Sequence, residues 1–177
     1  MEYIYLLIAG TLVSIVHIYL VWSNRKSNKR SISEYAILDK KSWALYFIAH
    51  VVCDVLILIY AYTFFVIGHS LIIPFSLLVV FVVLDLVQAA FPSQKKTEKI
   101  HLVAAYVSWM CFMLAGLVAL IQLEISTPYN IIAWLLLLPV FGMFIYMHIN
   151  RTKLYPYQLL MVPLYVACMV IATIGAR

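Results

Sequence analysis

SWALYFIAHVVCDVLILIYAYTFFVIGHSLIIPFSLLVVFVVLDLVQAAF, residues 42–91, carries only two charged side chains, Asp54 and Asp85, in 50 residues. A hydrocarbon core about 30 Å thick takes about 20 helical residues to cross, so this run is too long for one span and suits two. Its one interruption is Gly68-His69-Ser70, where turn-forming residues break the apolar pattern. The stretch therefore reads as a hairpin of two membrane-spanning helices.

Outward from that hairpin the same reading gives four more spans, so that the expected helices are 3–22, 43–67, 71–91, 101–123, 130–149 and 157–176. The expected fold class is all-α, a polytopic bundle of six transmembrane helices in a single domain, 1–177. The composition agrees: 66% of the 177 residues are apolar and 11% charged, with a mean hydropathy of +1.04. A soluble domain carries about 25% charged residues, and a disordered chain is far less apolar. About 48 residues remain for all loops and ends, too few for a second stable unit. Function is expected within or at the rim of the bundle.

Charge orients it. Arg25, Lys26, Lys29, Arg30, Lys40 and Lys41 fall in the first loop, Lys95, Lys96 and Lys99 in the third, and Arg151 and Lys153 in the fifth. These alternate loops share a side, against Arg177 alone on the other, and the positive-inside rule makes that side cytoplasmic. Both termini are then outside, and the expected location is the cytoplasmic membrane of a bacterium. The net charge of +5 is read as this topogenic signal, with some attraction to anionic lipid, rather than as a nucleic-acid surface. The first run follows acidic Glu2 and lacks a small-residue cleavage site, so it is expected to stay as a helix. Cys53, Cys111 and Cys168 are odd in number and unpaired in sequence, which argues for free core thiols over disulfides or structural zinc.

Ionisable groups inside spans are costly and mark sites. Asp54 lies about 18 Å in from the cytoplasmic start of the second helix, and Asp85 about 9 Å in from the cytoplasmic end of the third. Counting from the turn places them at nearly equal depth on facing surfaces, within reach of His50. His50 and Asp54 are four residues apart and share a face with Tyr46, while Gln88 follows Asp85 by three. His17 lies about 8 Å inside the cytoplasmic end of the first helix, and His101 and His148 lie at helix ends on the same side. The candidate ligand- or proton-binding residues are His17, His50, Asp54, Asp85, Gln88 and His101. The plainer alternative is an interhelical staple of His50 and Asp54, with Asp85 protonated or paired. The first loop is the longest connection; its Ser31-Ile32-Ser33-Glu34 can start a short helix under the bundle, with Ile32, Tyr35, Ile37 and Leu38 as the apolar side, covering a cavity mouth.

The Ser31-Ile32-Ser33-Glu34 stretch, the Phe91-Pro92 exit from the third helix and the His101-Leu102-Val103-Ala104-Ala105 start of the fourth together resemble a bacterial six-span integral membrane family known only as domain of unknown function 998. That family's loop usually reads S-x-S-E-L-G, and its F-P is followed by an acidic residue; here Tyr35-Ala36 and Ser93-Gln94 stand at those places. The resemblance adds Ser33 and Glu34 as loop candidates beside His101, without implying a reaction.

No P-loop, nucleophile elbow, H-E-x-x-H or catalytic carboxylate pair is present, so no catalytic residue is assigned and an enzyme is not the leading reading. The expected function is binding of a lipid head group or small ligand in a cytoplasm-facing polar cavity. The first alternative is a proton- or cation-coupled transporter or a subunit of one. The second is an intramembrane haem or zinc protein, a redox carrier or hydrolase, although histidines lie at essentially one depth and H-x-x-x-H is missing. No cofactor is named by the sequence. Membrane lipids and a small-molecule or cation ligand are the expected partners; nucleic acid is not, and an oligomer or partner protein is left open.

Overall fold

The computed structural model describes residues 2–91, 96–150 and 154–176. Pro92, Ser93, Gln94, Lys95, Arg151, Lys153 and Arg177, all used in the sequence reading, lie outside them. The described chain is an all-α bundle: α1 (Tyr3–Ser23), a short α2 (Ile32–Ala36), α3 (Lys40–Ala61, continued by the wider π-type turns of Tyr62–Gly68), α4 (Ile72–Ala90), α5 (Glu98–Gln122), α6 (Thr127–Ile149) and α7 (Tyr155–Gly175). All but α2 are long and apolar enough to cross a membrane, and a helix suits that solvent because its backbone groups pair within the segment.

Four helices, α3, α5, α6 and α7, begin two or three residues earlier than the apolar pattern suggests. Asp39 caps α3, its Oδ1 accepting from Ser42 N at 2.9 Å and its Oδ2 from Ser42 Oγ at 2.6 Å, so the helix starts at Lys40. Glu98 likewise sits in the first turn of α5, three residues before His101. Hydropathy reports where lipid begins; capping decides where the helix does.

The α3–α4 hairpin turns where Gly68-His69-Ser70 predicts. Ser70 takes a left-handed conformation, φ 56°, and lets Leu71 N reach back to Phe65 O at 2.7 Å. Thr63 Oγ1 donates to Ile59 O at 2.8 Å, a carbonyl that also accepts from Tyr62 N, where the helix widens.

The closest packing is of α4 on α5, α6 on α7 and α1 on α3, with α7 also against α1. Lipid offers no hydrophobic drive between helices, so close approach must come from small residues and fitted shapes. At Gly10 on α1 an added Cβ would stand 2.6 Å from Val166 Cγ2 on α7. At Gly116 on α5 it would stand 3.0 Å from the ring of Tyr165, whose hydroxyl donates to Phe112 O at 2.5 Å. Pro139 and Pro163, within α6 and α7, face outward.

The connections sort to two ends. At one, the first loop meets the start of α7 through Leu154 N and Tyr155 N, both donating to Arg30 O, and His101 of α5 meets the end of α4. At the other, Ser126 N donates to Gly175 O, Ile125 pairs with Ala176, and Tyr60 bonds Thr173.

Candidate functional site

At the end carrying the first loop, a cavity of about 200 Å³ runs into the bundle and is lined from all seven helices. Every candidate residue of the sequence reading lines it: His17, His50, Asp54, Asp85, Gln88, His101, Ser33 and Glu34. It reaches the surface beside Arg30 and Glu98, whose side chains are about half exposed, and ends against Leu6, Ile57, Phe81 and Phe112.

Four polar side chains form a continuous chain across three helices. Gln88 Nε2 donates to Asp85 Oδ1 one turn back on α4. Asp85 Oδ2 lies 2.5 Å from His50 Nδ1 of α3, and His50 Nε2 lies 3.3 Å from His17 Nε2 of α1. Tyr46 packs against both rings, tilted on His50 at 4.2 Å and stacked on His17 at 5.9 Å between centroids. His50 is 8% exposed, Asp85 4% and Asp54 2%.

The interhelical staple forms with Asp85, which lies within reach of His50 as expected, and without Asp54. His50 bonds Asp85 on the neighbouring helix, and Asp54 Oδ2 is buried without a hydrogen-bond partner. Nor are the two carboxylates level: Asp85 is level with His50, and Asp54 lies one helical turn, about 6 Å, deeper. The π-type turns at Tyr62–Gly68 pack more residues into each ångström of axis than an α-helix does. On that arm the partner of Asp85 therefore falls nearer the helix start than symmetrical counting from the turn gives.

His101 serves α4 directly. Its Nδ1–H donates to Gln88 O at 3.0 Å and Phe91 O at 3.1 Å, capping carbonyls that the end of a helix leaves open. His148 is exposed, packed edge-on against Tyr106 at 4.8 Å, and stays outside the cluster. The Cys53 thiol donates to Ala9 O at 3.2 Å, and all three cysteines are free.

The mouth is crossed by the first loop. Ser31 caps α2 by accepting from Glu34 N at 3.3 Å, and Ser33 Oγ is 3.0 Å from Ser31 Oγ. Glu34 turns back to Arg30, accepting from its backbone N at 2.9 Å and its Nε at 2.7 Å; the pair raises the Arg30 guanidinium further above its ordinary value. Arg30 also reaches Glu98 of α5 at 3.8 Å. The apolar side of α2 is Ile32, Tyr35 and Ala36, with Ile37 half-buried and Leu38 exposed. The helix ends at Ala36, so its period does not carry to the last two of the expected four.

Sequence reading missed Gln158 and the role of Glu98. Gln158 Oε1 accepts from Ile32 N at 3.0 Å and ties α2 to α7. A lone amide in the first turn of an apolar helix is the only trace of it in the sequence, and an interfacial residue looks the same.

Comparison of the chain with protein-family models, with curated proteins and with solved structures finds no match.

Proposed function

We propose that this chain is a non-catalytic integral membrane protein that binds a lipid head group or small ligand in the cavity, and that the cavity's mouth faces the cytoplasm. One observation carries the binding reading: the polar chain enters from one end and stops at an apolar wall. Beyond Asp54 the lining turns to Leu6, Ile57, Phe81 and Phe112, with no polar route onward among the described residues. A closed amphipathic pocket suits a ligand that enters and stays. A volume of about 200 Å³ suits a head group or small molecule and not a whole phospholipid. The cations support the orientation, since Arg25, Lys26, Lys29, Arg30, Lys40, Lys41, Lys96 and Lys99 lie in the loops at the mouth or in the first turns of the helices that follow them. The loop candidates Ser33 and Glu34 and the helix-opening His101 line the same cavity.

The hydrogen-bonded run of His17, His50, Asp85 and Gln88 favours proton- or cation-coupled transport as the second reading. It ranks second because the run lies across the bundle near one end instead of through it. Haem or zinc chemistry ranks third: two imidazole nitrogens meet, but among the described residues no three His, Cys, Asp or Glu side chains gather as ligands.

Native mass spectrometry of the purified protein, beside its visible spectrum and metal content, tests the reading. Expected is a retained small molecule or lipid that is lost when Ala105, on the cavity wall, is changed to Phe. A Soret band or stoichiometric zinc overturns it.

A further inference from the structure

We propose that the ligand of this cavity carries a primary ammonium group held by Asp54, with His17 as a second acceptor. The proposal rests on the cavity-binding reading and names its ligand chemistry.

The proton positions follow from the partners. Asp85 as a carboxylate accepts from Gln88 Nε2 at one oxygen and from His50 Nδ1 at the other. The His50 hydrogen is thereby on Nδ1, and in a neutral ring its Nε2 can only accept. The neighbouring His17 Nε2, 3.3 Å away, must then donate. His17 Nδ1 is left as a bare lone pair, and it is buried with no partner. Asp54 Oδ2, buried and unpartnered in the same cavity, is a second bare acceptor. Each such group left unsatisfied carries a large desolvation cost. A ligand that fits must bring donors.

Charge narrows the choice. Asp85 has both oxygens occupied by the His50 and Gln88 donors, and Glu34 and Glu98 at the mouth are matched by Arg30. No ion pair among the described residues includes Asp54, and Arg30 is the one Lys or Arg among the lining residues. A phosphate or carboxylate placed here would meet acceptors and a like charge. An alcohol brings one donor and no charge. An ammonium brings three donors and the missing positive charge, and the wall of Leu6, Ile57, Phe81 and Phe112 accepts an alkyl stem. A cavity of about 150 Å³ takes a benzene molecule, so about 200 Å³ admits a six-carbon amine. That amine is either the terminal group of an aminophospholipid or a soluble alkylamine.

The test is binding to the full chain in detergent, read by calorimetry, of hexylammonium, hexyltrimethylammonium, hexanol and hexanoate. Expected is hexylammonium binding about tenfold or more tighter than the other three, as a charge-assisted hydrogen bond gives, with Asp54→Asn reducing it to the hexanol level. Hexyltrimethylammonium keeps the charge without N–H donors, so its weakness in the unmodified protein tests the same contact if Asp54→Asn does not fold. Hexanol or hexanoate binding as tightly as hexylammonium, and lost in Ala105→Phe, overturns the ammonium proposal and leaves the cavity-binding reading standing. No binding of any of the four overturns both. Native mass spectrometry from nanodiscs of phosphatidylethanolamine with phosphatidylglycerol, against phosphatidylglycerol alone, separates the sources. Retained phosphatidylethanolamine displaced by hexylammonium assigns the lipid; hexylammonium binding with no retained aminolipid assigns the soluble amine.

Discussion

His50, Asp85 and Asp54 divide the polar core into a satisfied pair and an unsatisfied acid, and mutations separate them. Asp85→Leu leaves His50 Nδ1 and the Gln88 amide without their acceptor. Interhelical hydrogen bonds in bilayers average about 0.6 kcal/mol and reach about 1.7, while an orphaned buried group costs about 1–3 kcal/mol. The second effect dominates, so Asp85→Leu is expected to destabilise the bundle by roughly 1–3 kcal/mol in denaturation by sodium dodecyl sulfate. His50→Leu combined with Asp85→Leu removes one orphaned donor and recovers part of that loss, since Gln88 stays without its acceptor and His17 loses His50. Asp54→Asn, whose Oδ2 has no bond to lose, is expected to cost less than Asp85→Leu in the same assay. A double variant no better than Asp85→Leu would mean that the pair is more than a structural staple.

Elements show what a hydropathy pattern can and cannot carry. The spans and the turn at Gly68-His69-Ser70 are legible because about 20 consecutive apolar residues have few other uses. That Asp85 comes within reach of His50 was legible by counting from the turn; that Asp54 lies a turn deeper was not, because it depends on π-type turns that no residue type announces. Nor was the tie from α2 to α7 through Gln158, a contact between residues 126 apart in sequence. The caps lie between these cases. Hydrogen bonds from Ser42 hold the exposed Asp39 carboxyl below its ordinary value. A carboxyl lowered in the fold adds stability that is complete above its unfolded value and lost as pH falls through the folded one. Asp39→Asn, which can still cap, is expected to flatten the fall of Tm below about pH 4 while lowering Tm little at neutral pH; Asp39→Ala lowers Tm at neutral pH as well. The first loop gives a further prediction. With α2 bound to α7 by Gln158 and Arg30 held by Glu34 and Glu98, trypsin is expected to cut at Arg30 far more slowly than at Arg25 or Lys26. Gln158→Ala is expected to narrow that difference, and equal cutting at all three sites in the parent would show that the loop is a plain spacer.

At the scale of the whole molecule the fold and the charges point the same way from independent sources. Packing alone brings the first loop, the α4–α5 connection and the start of α7 to one end, through Arg30 O with Leu154 N and through His101 with Gln88 O. Insertion depends on something else, the side to which Lys and Arg are retained. The first loop and the flanks of the third supply those cations, and Asn28 and Thr97 lie among them. The opposite end has Glu2 and Glu124 and, among the described residues, no Lys or Arg. A bundle inserted the other way would carry eight described cations across the membrane and turn the cavity mouth outward. Cysteines introduced as Asn28→Cys and Thr97→Cys, in a background with Cys53, Cys111 and Cys168 changed to Ala, are therefore expected to resist an impermeant maleimide in intact cells and to react after permeabilisation. His69→Cys, at the α3–α4 turn, is expected to do the reverse. Labelling of residue 28 or 97 from outside intact cells would invert the topology and with it the side from which any ligand reaches Asp54.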